Sequence, residues 1–324
     1  MNKKVLVLVM SAAFLALLRP AEAQQAKVHR VGVILQGGTW YTMVDGLRDG
    51  LRRLGVVEGK DLVLEIRDTQ GDLNAVEETA RSLEGHQVDL IFTAATSVTV
   101  AAKRATAATP IVFVAGTDPA SIGLVESWPR PGGRLTGVYF KSTELTGKRL
   151  EILREILPKL RRVVTFYNPS NPSAQESAKE GREAAQLLRV QFIERHAASV
   201  ERLQAALKAF RPREADAYVA VSDAMVDNQA QLLIDTAKAK KLPTMSIEEG
   251  FVRKGGLASY GSDWHEAGRL AAKHVQRILA GTNPKDLPVE GTDRVAFAVN
   301  LKTAKQIGLT IPQSVLFRAD KVIE

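Results

Sequence analysis

Six consecutive residues, Phe92-Thr93-Ala94-Ala95-Thr96-Ser97, have the types and spacing to hold an anion. They separate the apolar run Val88–Phe92 from the alanine-rich stretch Val98–Ala108. The first reads as a buried parallel strand and the second as a helix. Side chains in the turn are small and hydroxylated, so little bulk covers the backbone N–H groups that a helix start leaves unpaired. Those donors, with the positive end of the helix dipole, are worth about 0.3–1 kcal/mol to an exposed charge. Thr96 or Ser97 can equally serve only as the helix N-cap. How often the chain repeats the arrangement decides between the two.

Other chemistries lack their residue patterns. The five histidines, His29, His86, His196, His265 and His274, show no HExxH or other metal-ligand spacing. His265 and His274 fall on one predicted helix, too far apart to share an ion. No GxSxG nucleophile turn occurs. Gly147-Lys148 lacks the upstream glycine and downstream hydroxyl of a nucleotide phosphate loop, and Gly37-Gly38 are not spaced as a dinucleotide fingerprint. Cysteine is absent, which removes disulfides and thiolate metal sites. Together these point to a binding protein rather than an enzyme, with no cofactor and no metal.

The 324 residues, 45% hydrophobic, suit two domains better than one, and 25% charged residues argue against disorder. The N-terminus reads as a secretory signal: Lys3 and Lys4, the apolar stretch Val5–Leu18, then Ala21-Glu22-Ala23 as the cleavage site. The apolar stretch falls short of the roughly 20 residues that span a bilayer. No cysteine follows it for a lipid anchor. Residues 1–23 are therefore expected to be removed, delivering a periplasmic protein. The formal charge of +8 falls to +6 with that segment. Basic residues are interleaved with acids along helices such as Lys148–Arg162, and no nucleic-acid signature accompanies them, so a solvated basic surface is expected.

After the signal, strands and helices alternate twice over, each time as βαβα. This predicts an α/β fold of two Rossmann-like lobes with parallel sheets, joined by strands that cross directly between them. The first lobe is expected to take 28–141 plus about 264–300, and the second 142–263 plus about 301–324. Ligands in such sheets lie beyond the carboxyl ends of the strands, where strand order reverses. That rule collects Gln36, Gly37 and Trp40, Thr93, Ala95, Thr96 and Ser97, and Gly116, Thr117 and Asp118 from the first lobe. From the second it collects Tyr167, Asn168, Ser222, Asp223, Ser246 and Tyr260. Hydroxyls and amides line one wall; carboxylates and aromatics line the other.

This distribution suits a small zwitterion. Its carboxylate would take the Thr93–Ser97 turn, and its ammonium Asp223 through a charge-assisted hydrogen bond. Trp40, Tyr41, Tyr167 and Tyr260 would offer apolar or π-facing surface to a side chain, aromatic ones included. Each aromatic can instead be core packing, Tyr41 above all. Asp223 can be a helix cap, and Asp118, before Pro119, a turn former.

Several stretches resemble the periplasmic substrate-binding proteins of ABC transporters, in the group with tryptophan- and tyrosine-binding members. They are Gly46–Arg67, Val88–Thr106, Pro110–Ser127, Arg130–Val138, Gly147–Pro158, Gly255–Asp263, Asp286–Glu290 and Asn300–Pro312. The resemblance implies a type I periplasmic-binding fold whose lobes close on a small ligand and present it to an inner-membrane permease. The protein is expected to act as a monomer. The resemblance further implies that the ligand carboxylate meets Thr93–Ser97 and Ala115-Gly116-Thr117, and that Asp223 meets the ammonium. Arg134 stands where the family's Pro-Gly-Gly-Asn-x-Thr-Gly segment has asparagine, and the Gln36–Tyr41 loop is variable in the family. A two-lobed sensor without a transport role is the alternative; it would need a DNA-binding headpiece where this chain has the signal.

Overall fold

A computed structural model describes residues 27–324, so the expected signal segment lies outside the described residues. The first alternation runs β1 (His29–Leu35), a 3₁₀ turn at Gly38–Trp40, α1 (Tyr41–Arg53), β2 (Leu62–Asp68) and α2 (Leu73–Gly85). It continues with β3 (Leu90–Ala94), α3 (Thr96–Ala105), β4 (Ile111–Ala115) and β5 (Leu135–Tyr139). The second begins at α4 (Thr146–Ile156), β6 (Arg162–Tyr167), α5 (Pro172–Leu188), β7 (Gln191–His196) and α6 (Val200–Ala209). It proceeds through β8 (Ala217–Val219), α7 (Ala224–Asn228), α8 (Ala230–Ala239), β9 (Thr244–Ser246), α9 (Glu249–Arg253) and β10 (Ala258–Ser262). The chain ends with α10 (Trp264–Leu279), β11 (Glu290–Gly291), β12 (Val295–Asn300), α11 (Leu301–Gln306), α12 (Gln313–Phe317) and β13 (Lys321–Ile323).

Every residue of β3, β4 and β5 is buried, as their largely apolar composition requires of strands covered on both faces. The first sheet has the order β11-β5-β4-β3-β1-β2 and is parallel throughout. The second has the order β13-β12-β10-β9-β8-β6-β7 and is parallel except where β12 runs against β10. Here the expected boundary near residue 300 needs correction. Val295–Asn300, read with the first lobe, is hydrogen-bonded into the second sheet. Strand partners are chosen by long-range pairing, which the local pattern of Val295–Val299 does not encode.

Helix α10 packs on α1 of the first lobe. Their backbones come so close that a Cβ on Gly46 would lie 2.0 Å from the His265 carbonyl oxygen, and one on Gly268 1.9 Å from that of Met43. Glycine at these crossings is a packing requirement.

Three segments pass between the lobes: after β5, after β10 and before β12. They are tied together by hydrogen bonds from the Thr292 amide to the Tyr139 carbonyl (2.9 Å) and from the Ser262 hydroxyl to the Phe140 carbonyl (2.9 Å). Arg149 on α4 fastens two of them, its Nε donating to the Tyr260 carbonyl (2.8 Å) and its Nη2 to the Ser142 carbonyl (2.9 Å). This guanidinium is fully buried and its pKa is lowered to about 9 by that burial. Within Lys148–Arg162 it is the exception to the solvated basic surface expected there.

Candidate functional site

Strand order reverses between β1 and β3 in the first sheet and between β6 and β8 in the second. Loops leaving neighbouring strands diverge at such a point and open a crevice beyond the strand ends. In this molecule the two crevices face one another, and the lobes touch across them. The Thr117 hydroxyl donates to the Ser173 hydroxyl of α5 (2.9 Å). Gly38 adopts φ +59°, and a Cβ there would lie 3.2 Å from the Asn228 Cα, so the 3₁₀ turn lies directly against α7.

One chamber of about 10 Å³ is lined by Trp40, Thr96, Ser97 and Gly116 from the first lobe and by Ser173, Ser222 and Ala224 from the second. Helix α3 points its start at this chamber. Ala95, just before it, has φ +105° and ψ 148°, a backbone region costly for a residue with a Cβ. Thr96 Oγ1 accepts from the amides of Gly116 (3.0 Å) and Thr117 (3.2 Å), which binds the loops after β3 and β4 into one surface. Thr93 shares its hydroxyl with that of Thr99 (2.8 Å), beneath the first turn of α3, and so supports the loop from below. Trp40 stacks on Trp264 with ring centroids 4.2 Å apart, and its indole Nε1 is enclosed without a partner.

A second chamber, also about 10 Å³, is lined by Thr39 of the first lobe and by Tyr218, Val226, Asp227, Ser246 and Glu248 of the second. Its character is acidic. Asp227 is partly buried and its Oδ2 is enclosed without a partner. Burial first, then the negative charges of Asp223 and Glu248, raise its pKa well above the usual carboxylate range, against the pull of Arg149. Burial pushes the Glu248 carboxyl up to about 7 even though its Oε2 accepts the Gly250 amide (2.5 Å) at the start of α9. Burial likewise raises the Tyr218 phenol, with Asp227 and Asp223 adding to it.

Asp223 takes the helix-cap role that its place before a helix left open. Its Oδ2 accepts from the Asn168 amide (2.7 Å), and its Oδ1 from the amides of Met225 (3.0 Å) and Val226 (3.3 Å), making it the N-cap of α7. Three backbone donors occupy its two oxygens. Asp118 accepts from the Trp128 indole (2.9 Å) and the Ala120 amide (3.0 Å), and so braces a turn. Tyr167 directs its hydroxyl to Glu194 (2.5 Å) and His196 (3.0 Å) on β7. The Tyr260 ring lies edge-on to Phe297, 6.2 Å between centroids. Asn168 borders an open groove of about 1200 Å³ between Asp68–Ala75 and Ala198–Gln204, outside the two chambers. Gln36 is fully enclosed with neither amide atom paired, and Gly37, at φ +82°, is held between Asp68 and Asn228.

The structure thus joins Trp40, Ala95, Thr96, Ser97, Gly116 and Ser222 at one chamber and puts Ser246 at the other. Sequence reasoning missed Asp227, Ser173 and Tyr218. The available signal for Asp227 was its position four residues after Asp223, a carboxylate inside an otherwise apolar helix turn.

Residues 28–323 match the family described as ABC transporter substrate binding protein. The chain belongs to that family. Among characterised relatives, a tyrosine-binding protein of Clostridioides difficile is 26% identical over 265 residues, covering 82% of this chain and 76% of its own. The solved ABC domain in complex with L-Trp from Streptococcus pneumonia is 23% identical, with TM-score 0.83, covering 92% of this chain and all of that one. A ligand-free, open substrate binding protein with adhesive properties from Clostridium difficile is also 23% identical over 92% of this chain and 99% of its own, with TM-score 0.61. Both solved structures share the two-lobed fold. The family is one of solute-binding proteins, not a class of enzymes. Among the described residues no helix is long and apolar enough to cross a membrane.

Proposed function

We propose that this protein is the extracytoplasmic binding component of an ABC importer, closing its lobes around an amino-acid-like zwitterion and delivering it to a membrane permease. The observation that carries this reading is the opposite polarity of the two chambers between the lobes. One offers hydrogen-bond donors: the amides at the start of α3, the Trp40 indole N–H and the hydroxyls of Ser97, Ser173 and Ser222. The other offers acceptors, the carboxylates of Asp227 and Glu248. A carboxylate in the first and an ammonium in the second would each form charge-assisted hydrogen bonds, stronger than neutral ones. Thr39 and Trp40 are consecutive and line one chamber each, so the loop after β1 borders both.

Both chambers draw residues from both lobes, so a ligand there favours the arrangement in which the lobes meet. The greater likeness to the L-Trp complex than to the open, ligand-free relative, at equal identity, supports reading this arrangement as the closed one. The signal segment supports a periplasmic destination. Thermal unfolding with each of the common amino acids, and with simple amines and carboxylates, tests the proposal. A ligand that binds only the folded chain raises the midpoint by mass action. We expect amino acids to do so and their amine-only or acid-only counterparts not to; no response to any amino acid overturns the reading.

A further inference from the structure

Lobes that close need surfaces that fit when they meet, and three glycines of the first lobe stand beside the second. Gly37 and Gly38 begin the turn after β1, and Gly71 lies between β2 and α2; their φ angles are +82°, +59° and +93°. What a Cβ would strike differs among them. At Gly37 its nearest neighbour would be Asp68, 2.7 Å away on the glycine's own lobe, so that position is crowded whether or not the lobes touch. At Gly38 the three nearest atoms all belong to Asn228 of α7: Oδ1 at 2.8 Å, Cα at 3.2 Å and the carbonyl oxygen at 3.3 Å. At Gly71 a Cβ would lie 3.3 Å from Met225 Cγ on α7 and 3.3 Å from Val200 Cγ2 at the start of α6. Backbone faces backbone at Gly38, whereas the nearest neighbours at Gly71 are side-chain atoms that can turn aside.

Both contacts reach one short element. Met225 and Asn228 are three residues apart and share a face of α7. Asp223 caps that helix and also accepts the Asn168 amide, which ties α7 to the loop after β6. A side chain at Gly38 must therefore displace a fastened helix or hold the lobes apart. We infer that Gly38 and Gly71 form the seat on which the first lobe closes, with α7 as the matching face, and that their lack of a side chain sets how much of the protein reaches the closed form. The inference rests on the closing-lobe reading above and locates where closure is made. Apparent affinity falls with the fraction of protein able to close, so a Cβ at Gly38 weakens binding although Gly38 lines neither chamber.

The chain has no cysteine, so spin labels attach only where one is introduced. Asn74 and Gln204 are exposed and line the open groove from the first and second lobes. With Asn74→Cys and Gln204→Cys labelled, the distance between them is read with and without a mixture of the common amino acids. We expect the mixture to shorten it in the parent. Gly38→Ala should keep the long distance and bind the best amino acid at least tenfold more weakly, and Gly71→Ala should close in part. Gly55→Ala is the control. Gly55 has φ +78° with nothing within 4 Å of a Cβ, so this variant carries comparable left-handed strain and no contact. It should lower the thermal midpoint as Gly38→Ala does, yet close as the parent does. Full closure in both Gly38→Ala and Gly71→Ala, or equally impaired closure in Gly55→Ala, would overturn the inference and leave the importer reading standing. A parent whose midpoint rises with the mixture while its distance stays fixed binds without closing, which overturns it as well. Neither a rise nor a shortening removes both readings.

Discussion

No charged side chain of the first lobe lines either chamber among the described residues, whereas the second lobe contributes Asp227 and Glu248 to one of them. The first wall owes its polarity to backbone: the start of α3, held in place by the strained Ala95 and by Thr96 accepting two amides. Such a wall does not titrate. The second wall is made of carboxylates whose charge burial opposes, so its strength changes with pH and with what occupies it. An anion end held by fixed dipoles and a cation end held by titratable groups should therefore respond differently to the same perturbations.

The largest expected effect comes from removing the enclosed carboxylate. Asp227→Asn should weaken amino-acid binding by about 10- to 100-fold, the scale of a hydrogen bond to a charged group. It should also raise the thermal midpoint of the unligated protein, since holding Asp227 protonated above its unfolded-state pKa costs stability that asparagine does not. Calorimetry and unfolding scans report the two effects. Unchanged affinity would mean that this wall is structural.

Asp223→Ala, four residues before Asp227 at the cap of α7, should act in the opposite sense on stability. It removes the cap of α7 and the acceptor of the Asn168 amide, and we expect a loss of about 1–2 kcal/mol in denaturant unfolding. A variant as stable as the parent would return Asp223 to the ligand.

A pH series separates the walls without mutation. The folded pKa of Glu248 is raised from 4.5 to about 7. Its contribution to the stability of the unligated chain is therefore present below about pH 4.5 and lost as pH rises through about 7. An ammonium favours the ionised form, so affinity should increase across the same window. Titrations at pH 5.5 and 8 should differ several-fold, tighter at the higher pH. A flat profile would show that the second wall carries no titrating partner of the ligand.

Thr96→Val should have the smallest effect. The Gly116 and Thr117 amides lose their acceptor, the donor surface loosens, and affinity should fall by about three- to tenfold, as for one ordinary hydrogen bond. Equal affinity in the variant would place the anion elsewhere along α3.

Much of this was legible in the sequence because it is local. The βαβα alternation gives the parallel lobes, and the ends of β1, β3, β4 and β8 follow from it as the loops at the cleft. What was not legible depends on tertiary choice. An aspartate before a helix reads equally as cap and ligand, and Asp223 and Asp227 lie on one helix face, so the pattern alone does not say which faces the cleft. Arg149 looked like one more surface cation, since only the crossing segments around it make its burial tolerable. The pairing of β12 with β10 joins residues distant in sequence, and nothing in Val295–Val299 names its partner.

The central claim is that one molecule presents a carboxylate to the first wall and an ammonium to the second. Calorimetric titration with the best-binding amino acid, its methyl ester and its deaminated acid tests this most directly. The account predicts that each analogue binds at least 10-fold more weakly than the parent. An ester or deaminated acid that binds as tightly as the amino acid itself would contradict it.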